Sequence, residues 1–248
     1  MKKSMKTIKI GDIFPTKNGD SVTVIEVNGW DNIVVQFNDT YGHLTRLQLT
    51  QLNSGNVKNV YRPNVYGIGY FGSGPYVAKI NNVITPEYRA WSGMLQRCYS
   101  THWQTRNPAY IGCFVVVEWY NFQTFAQWYC NTGYYNIGYE LDKDILYLNN
   151  KIYSPQTCRM VPKEINKIVI DKSNSIRNNG LPIGVTPNHN KYQARMGTKP
   201  LGTYSTPEEA HIVYMQYKMN HEITIVNKYR ERLSEDVYYA LLAFVQSY

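Results

Sequence analysis

The sequence predicts an α+β protein made of several small domains. Short alternating strands joined by tight turns occupy the first part of the chain. Two helix starts with aromatic stripes lie in the middle. Three strands followed by a capped helix come near the end. At 248 residues the chain is long enough for one large domain or two to three small ones. The expected divisions are a small β domain over 1–62, a glycine-rich connector over 63–84, a ββα domain over 85–170, a linker over 171–180 and a sheet-plus-helix domain over 181–248.

In the first segment Ser21 to Val27 alternates polar and apolar, the period of a half-buried strand. Asn28 to Asn32 is turn chemistry, and Ile33 to Phe37 is the hairpin partner. A further strand pair is expected around Tyr41 to Leu49, which together suggests a small SH3-like barrel. Lys2, Lys3, Lys6 and Lys9 precede the first acid, so the N-terminal arm is cationic. It lacks the apolar stretch of a signal peptide, and no secretion is expected.

The connector has glycines at 67, 69, 72 and 74, but the lysine and hydroxyl of a phosphate loop are missing, so no nucleotide cofactor is expected. One short strand is expected at Tyr76 to Ile80. Thr85-Pro86-Glu87 is a helix start, with cap, first-turn proline and an acid against the helix dipole. Tyr88, Trp91, Met94 or Leu95, and Cys98 then recur at helical spacing as a core stripe. Phe114 to Val117 reads as a buried strand. Asn121 caps a second helix with Phe122, Phe125 and Trp128 or Tyr129 on one face. These two aromatic helices brace the central hairpin.

In that hairpin Glu140 to Leu146 alternates as a strand, Leu148 to Lys151 is a turn, and Ile152-Tyr153 resumes extended structure. Thr157 to Met160 returns to the sheet, and Val161-Pro162-Lys163-Glu164 opens a helix. This ββα hairpin offers Asp142 and Asp144 beside Lys143, a set able to hold a divalent metal against a phosphate. Near the end, Gly184 to Thr186, Tyr192 to Met196 and Lys199 to Tyr204 read as three strands. Thr206 and Glu209 form a capping box for a helix with Ala210, Tyr214 and Tyr217 inward. A last helix begins near Ser234 with Val237, Leu241 and Phe244 or Val245 as its stripe.

Charge narrows the function. The net charge is +8 and the pI about 9.1, an electrostatic footprint shared by many nucleic-acid-binding proteins. From Lys172 to Leu201 the cations Lys172, Arg177, Lys191, Arg195 and Lys199 occur with no acid. A sheet with a basic face and a helix behind it suits a DNA groove, so double-stranded DNA is the expected partner. No run approaches the roughly 20 apolar residues of a membrane helix, so no membrane partner is expected. The 23 tyrosines suit core edges and wet interfaces. Cys98, Cys113, Cys130 and Cys158 form no CxxC pair, and their irregular spacing favours reduced structural thiols over a zinc site.

Two segments carry resemblances. Gly184-Val185, Tyr192-x-Ala194-x-Met196 and Leu201-Gly202-Thr203-Tyr204-x-Thr206-x-Glu208-Glu209-Ala210, with Tyr214 after, resemble the plant Apetala-type (ethylene-response-factor) DNA-binding domain, over about a quarter of the chain. The resemblance implies that the sheet face enters the major groove, with Lys191, Tyr192, Gln193, Arg195 and Lys199 at or beside DNA. Strand alternation puts Lys191, Gln193 and Arg195 in one set. The arginine- and tryptophan-rich first strand of that family is missing here.

From Tyr88 to Asn166, YRAWSGMLQRCY, EWYNFQTFAQWY, LDKDIL, YSPQTC and EIN resemble phage-type HNH homing endonucleases. The resemblance implies a phage-encoded protein acting in a host cytoplasm, with Mg²⁺ or another divalent metal. Asp142, Lys143 and Asp144 would be catalytic, and Asp142, Asp144 and Asn166 would hold the metal. The sequence departs from the family in having no histidine between His102 and His189, and Thr157 where relatives carry Asn before Cys158. Two functions therefore stand side by side. One is metal-dependent phosphodiester hydrolysis. The other is an inactive scaffold that binds DNA or blocks a host protein.

Overall fold

The structure, a computed structural model, describes residues 7–134, 138–170 and 180–247. Helices and several small sheets alternate, so the α+β expectation holds. The chain divides into two compact units, residues 1–101 with 117–127 and residues 102–116 with 128–248. Lys2, Lys3 and Lys6, together with Lys172, Arg177 and all but the last residue of the expected linker, lie outside the described residues.

In the first unit β1 (Ile13–Pro15), β2 (Ser21–Val27), β3 (Ile33–Phe37) and β4 (Leu44–Leu47) form an antiparallel sheet in sequential order. Alternation does what the sequence predicts: Val22, Val24, Ile33, Val35 and Phe37 turn inward. Val24 pairs with Val35 and Glu26 with Val34, so Ile25 is an extra residue that bends β2. The strand pair expected at Tyr41 to Leu49 is β4 alone. It gives way to a helix, α1 (Leu49–Ser54), because the Gln51 side chain accepts the Gln48 amide at 2.9 Å and Gly55 ends the turn at φ 66°.

The connector folds as a hairpin rather than as one strand. β5 (Lys79–Ile80) pairs with β6 (Val83–Ile84) around Asn81 and Asn82, both at positive φ. Helix α2 (Pro86–Tyr99) starts where expected. The Thr85 hydroxyl donates to the Val77 carbonyl at 2.8 Å, tying the helix start to the connector instead of capping it. Trp91, Met94, Leu95 and Cys98 are buried, and Trp91 Nε1 donates to the Trp119 carbonyl at 2.7 Å. After α3 (Thr101–Arg106) comes β7 (Phe114–Val115), shorter than expected because Val117–Tyr120 coils into a 3₁₀ turn. Helix α4 (Phe122–Asn131) follows, with the Phe122 ring 5.3 Å from Trp91.

In the second unit β8 (Tyr139–Asp142) and β10 (Arg159–Pro162) pair antiparallel, while β9 (Ile152–Tyr153) pairs in parallel with β7. Helix α5 (Lys163–Ile170) begins directly after Pro162, the last residue of β10. Then β11 (Val185–Asn188), β12 (Lys191–Met196) and β13 (Lys199–Tyr204) form an antiparallel sheet. The Thr206–Glu209 capping box opens α6 (Pro207–Lys228), whose Ala210 and Tyr214 pack on Val185 and Ala194. Tyr217 is half-buried, and Lys218 takes the buried position beside it.

Helix α7 (Glu235–Gln246) buries Val237, Leu241, Phe244 and Val245 as its stripe predicts. Their partners are Val161, Ile165, Ile168 and Val226. The terminal helix, expected with the C-terminal sheet, thus belongs to the core of the central hairpin. Among the described residues no helix is long and apolar enough to cross a membrane.

Candidate functional site: the central hairpin and the outer sheet face

The strand expected from Glu140 to Leu146 ends early, and Asp142 is the reason. Its Oδ1 accepts the amides of Asp144 and Ile145 at 2.8 and 2.7 Å, which bends the chain. The carboxyl is buried. Burial pushes its pKa up to about 6, against the opposing pull of those two amides.

Lys143 is buried too, 7% exposed, and a buried ammonium needs partners. Its Nζ lies 2.8 and 2.7 Å from the two Asp144 oxygens and donates to the Asn150 carbonyl. Asn150 closes the loop from the other side. Its Nδ2 donates to the carbonyls of Lys143 and Ile152 at 2.8 and 2.7 Å. Thr157 donates to the Ile152 carbonyl at 2.8 Å. The Cys158 thiol is buried and its pKa is pushed up to about 12, chiefly by desolvation, which leaves it a poor nucleophile.

Asn166 sits on α5 and donates from Nδ2 to Glu140 Oε2 at 2.7 Å. Its Oδ1 is buried without a partner, an atom that a hard cation would suit. Asp144, however, already holds an ammonium with both oxygens. The set Asp142, Asp144 and Asn166, as arranged, does not fit a divalent ion. Among the described residues no three His, Cys, Asp or Glu side chains group as a metal site. Sequence reasoning missed Glu140 and Asn150. Glu140 was findable, since it stands two residues before Asp142 and so on the same face of the strand. Asn150 gave no signal beyond its turn propensity.

The C-terminal sheet has two faces. Tyr192, Ala194 and Met196 turn toward α6, so Lys191, Gln193 and Arg195 alternate onto the outer face. No acid occurs anywhere on the three strands. Arg195 Nε is buried without a partner, while Nη2 reaches the Thr198 carbonyl at 3.4 Å. Lys199 does not join this set. It pairs in register with Met196, donates to the Tyr217 hydroxyl at 3.0 Å and lies 4.8 Å from that ring. Tyr192 is likewise on the helix side.

Both glycines that carry the Apetala-type resemblance occupy forced positions. Gly184 has φ 80°, and a Cβ there would fall 2.1 Å from the Tyr214 ring. Gly202 has φ 137°, and a Cβ there would meet the Tyr204 hydroxyl at 2.5 Å. Comparison with protein families, with curated proteins and with solved structures finds no match for this chain.

Proposed function

We propose that this chain binds double-stranded DNA through the outer face of its C-terminal sheet. The observation that carries the proposal is the alignment of Lys191, Gln193 and Arg195 on a face whose strands hold no acid. Three antiparallel strands backed by one helix are what the Apetala-type resemblance implies. Strands β8 and β10, paired with each other and separated in sequence by β9, lead into α5, an arrangement that supports the ββα resemblance to HNH-type proteins. The four-stranded N-terminal sheet is compatible with an SH3-like unit. On this reading the scaffold is that of a phage-type HNH homing endonuclease in which the hairpin has become a structural brace. Lys143 supplies internally the positive charge that a metal would bring to Asp144.

Fluorescence anisotropy against salt tests the binding. Affinity should fall steeply as salt rises, because phosphate binding releases counterions. Lys191→Ala and Arg195→Ala should each weaken binding and lower the salt slope by about 1. Affinity unchanged in both variants would remove the sheet as the reader.

The rival reading, phosphodiester hydrolysis, draws on one observation: an Asp142 carboxyl titrating near 6 sits close to the range of a working base. A plasmid-nicking assay with Mg²⁺ or Mn²⁺ separates the two. Nicking that disappears in Asp142→Asn restores the nuclease reading. No nicking with intact binding supports the brace, and salt-insensitive capture of a host protein would favour a blocking role.

A further inference from the structure

We infer that a cleft in the second unit binds a single nucleotide, one flat base with its phosphate, at a place separate from the sheet face. The cleft has a volume of about 350 Å³. That lies at the small end of ligand pockets, about 300–1,000 Å³. It admits one nucleotide and excludes a duplex.

The lining suits that shape. Met160 and Val161 of β10 and Val237 of α7 give an apolar surface. Trp128 of α4 and Tyr134 add aromatic walls. Tyr134 is already fixed, stacked on Tyr139 with centroids 4.7 Å apart and planes 2° from parallel. A ring held in advance loses little freedom when a base packs on it.

Charge selects the anion. Two arginines line the cleft, and among the described residues one of them, Arg159, is held by a carboxylate. Arg159 binds Asp236 through Nε and Nη2 at 3.1 and 2.6 Å, and its Nη1 reaches the carbonyls of Gln156 and Cys158. It is a strut. The Arg232 side chain is exposed, and its interaction among the described residues is electrostatic, with Tyr139, with no carboxylate held. Of the acids near it in sequence, Asp236 is taken by Arg159 and Glu235 by Arg230, while Glu231, the preceding residue, is exposed. A guanidinium beside an aromatic slot, with no carboxylate partner among the described residues, recognises a phosphate next to a base.

Equilibrium dialysis of the full chain with deoxyadenosine monophosphate and with deoxyadenosine tests this. The monophosphate should bind about tenfold tighter than the nucleoside, the worth of one charge-assisted contact. Arg232→Ala should erase that difference, and Trp128→Ala should weaken both ligands. Because Arg232 is exposed, its variant should keep the wild-type thermal melt even if Trp128→Ala does not. No binding of the monophosphate, equal binding of nucleotide and nucleoside, or indifference to Arg232→Ala each overturns the inference. A Lys191→Ala/Arg195→Ala double variant should lose duplex binding and keep the monophosphate, so the two proposals fail separately. Displacement by a short oligodeoxythymidylate assigns the nucleotide to a strand; retention of the monophosphate assigns it to the free pool.

Discussion

Asp142 carries a carboxyl whose charged form is disfavoured where it sits, and this has a stability consequence with a definite sign. Its folded pKa, about 6, lies above the ordinary value of 3.8. Between those two values the folded chain holds a proton that the unfolded chain has released. Its contribution is therefore fully present below pH 4 and is lost as pH rises through 6, a change of about 3 kcal/mol. Asp142→Asn should abolish that decline, as urea midpoints at pH 4, 5, 6 and 7 would show. Glu164 runs the other way: hydrogen bonds from Lys228 and Tyr229 hold its pKa down, so its contribution fades only as pH falls into the acid range. Lys143 offers a second residue-scale prediction. Asp144→Ala strands a buried ammonium, whereas Lys143→Met leaves a carboxylate that is 31% exposed and able to rehydrate. The aspartate variant should therefore cost more, about 3 kcal/mol against about 1 kcal/mol. The double variant should cost less than the sum, a coupling that a denaturation cycle reads directly. Equal costs would mean the ammonium is not held by Asp144.

Among the elements, α6 depends most visibly on its first turn. The Thr206 hydroxyl accepts the Glu209 amide at 3.2 Å, and Glu209 Oε2 accepts the Ser205 and Thr206 amides at 3.1 and 3.2 Å. Thr206→Ala should cost about 1 kcal/mol, seen as a lower urea midpoint with an unchanged slope. This helix start was legible from sequence because a capping box is local. So were β2, β3 and the start of α2, each fixed by alternation or by a proline in the first turn. Elements set by distant contacts were not. The stripe Val237, Leu241 and Phe244 announces a buried face without saying what buries it, and the partner proved to be the hairpin. The outer set Lys191, Gln193 and Arg195 followed from strand period alone. Lys199 did not, because β13 carries an extra residue: Ala194 pairs with Gly202 but Arg195 with Pro200, leaving Leu201 over. One added residue reverses the alternation between its two sides, so Lys199, which precedes Leu201, lies on the helix side rather than the open side. Pro200 and Gly202 on either side of Leu201 are the kind of residues that mark a bulge, but they do not say which way Lys199 turns. The buried role of Lys143 was hidden for a similar reason, since its partner carbonyl on Asn150 comes from across the loop.

At the scale of the molecule, one helix joins what the sequence divides. The first half of α6 packs on the C-terminal sheet, and its last turns meet α5 and α7 in the core under the central hairpin. Lys218 and Glu222, a buried pair 3.7 Å apart, sit along α6 between these two clusters. Sheet and hairpin should therefore lose structure together. A chain ending at Lys228 loses Leu233, Val237, Leu241, Phe244 and Val245, and it uncovers Val161, Ile165 and Ile168. Each large apolar side chain is worth about 1.5–3 kcal/mol when buried. The total lost matches or exceeds the stability of an ordinary domain, about 5–15 kcal/mol. Hydrogen exchange on this truncated chain should show protection lost from β8, β10 and α5, and weakened along α6 and the sheet. The first unit has its own core in Val22, Val24, Ile33, Val35 and Phe37, and its amides should stay protected. DNA affinity should fall with the second unit even though no residue of the outer sheet face has been removed. If the sheet kept both its protection and its affinity, the two parts would be independent after all, separated where the sequence places its linker.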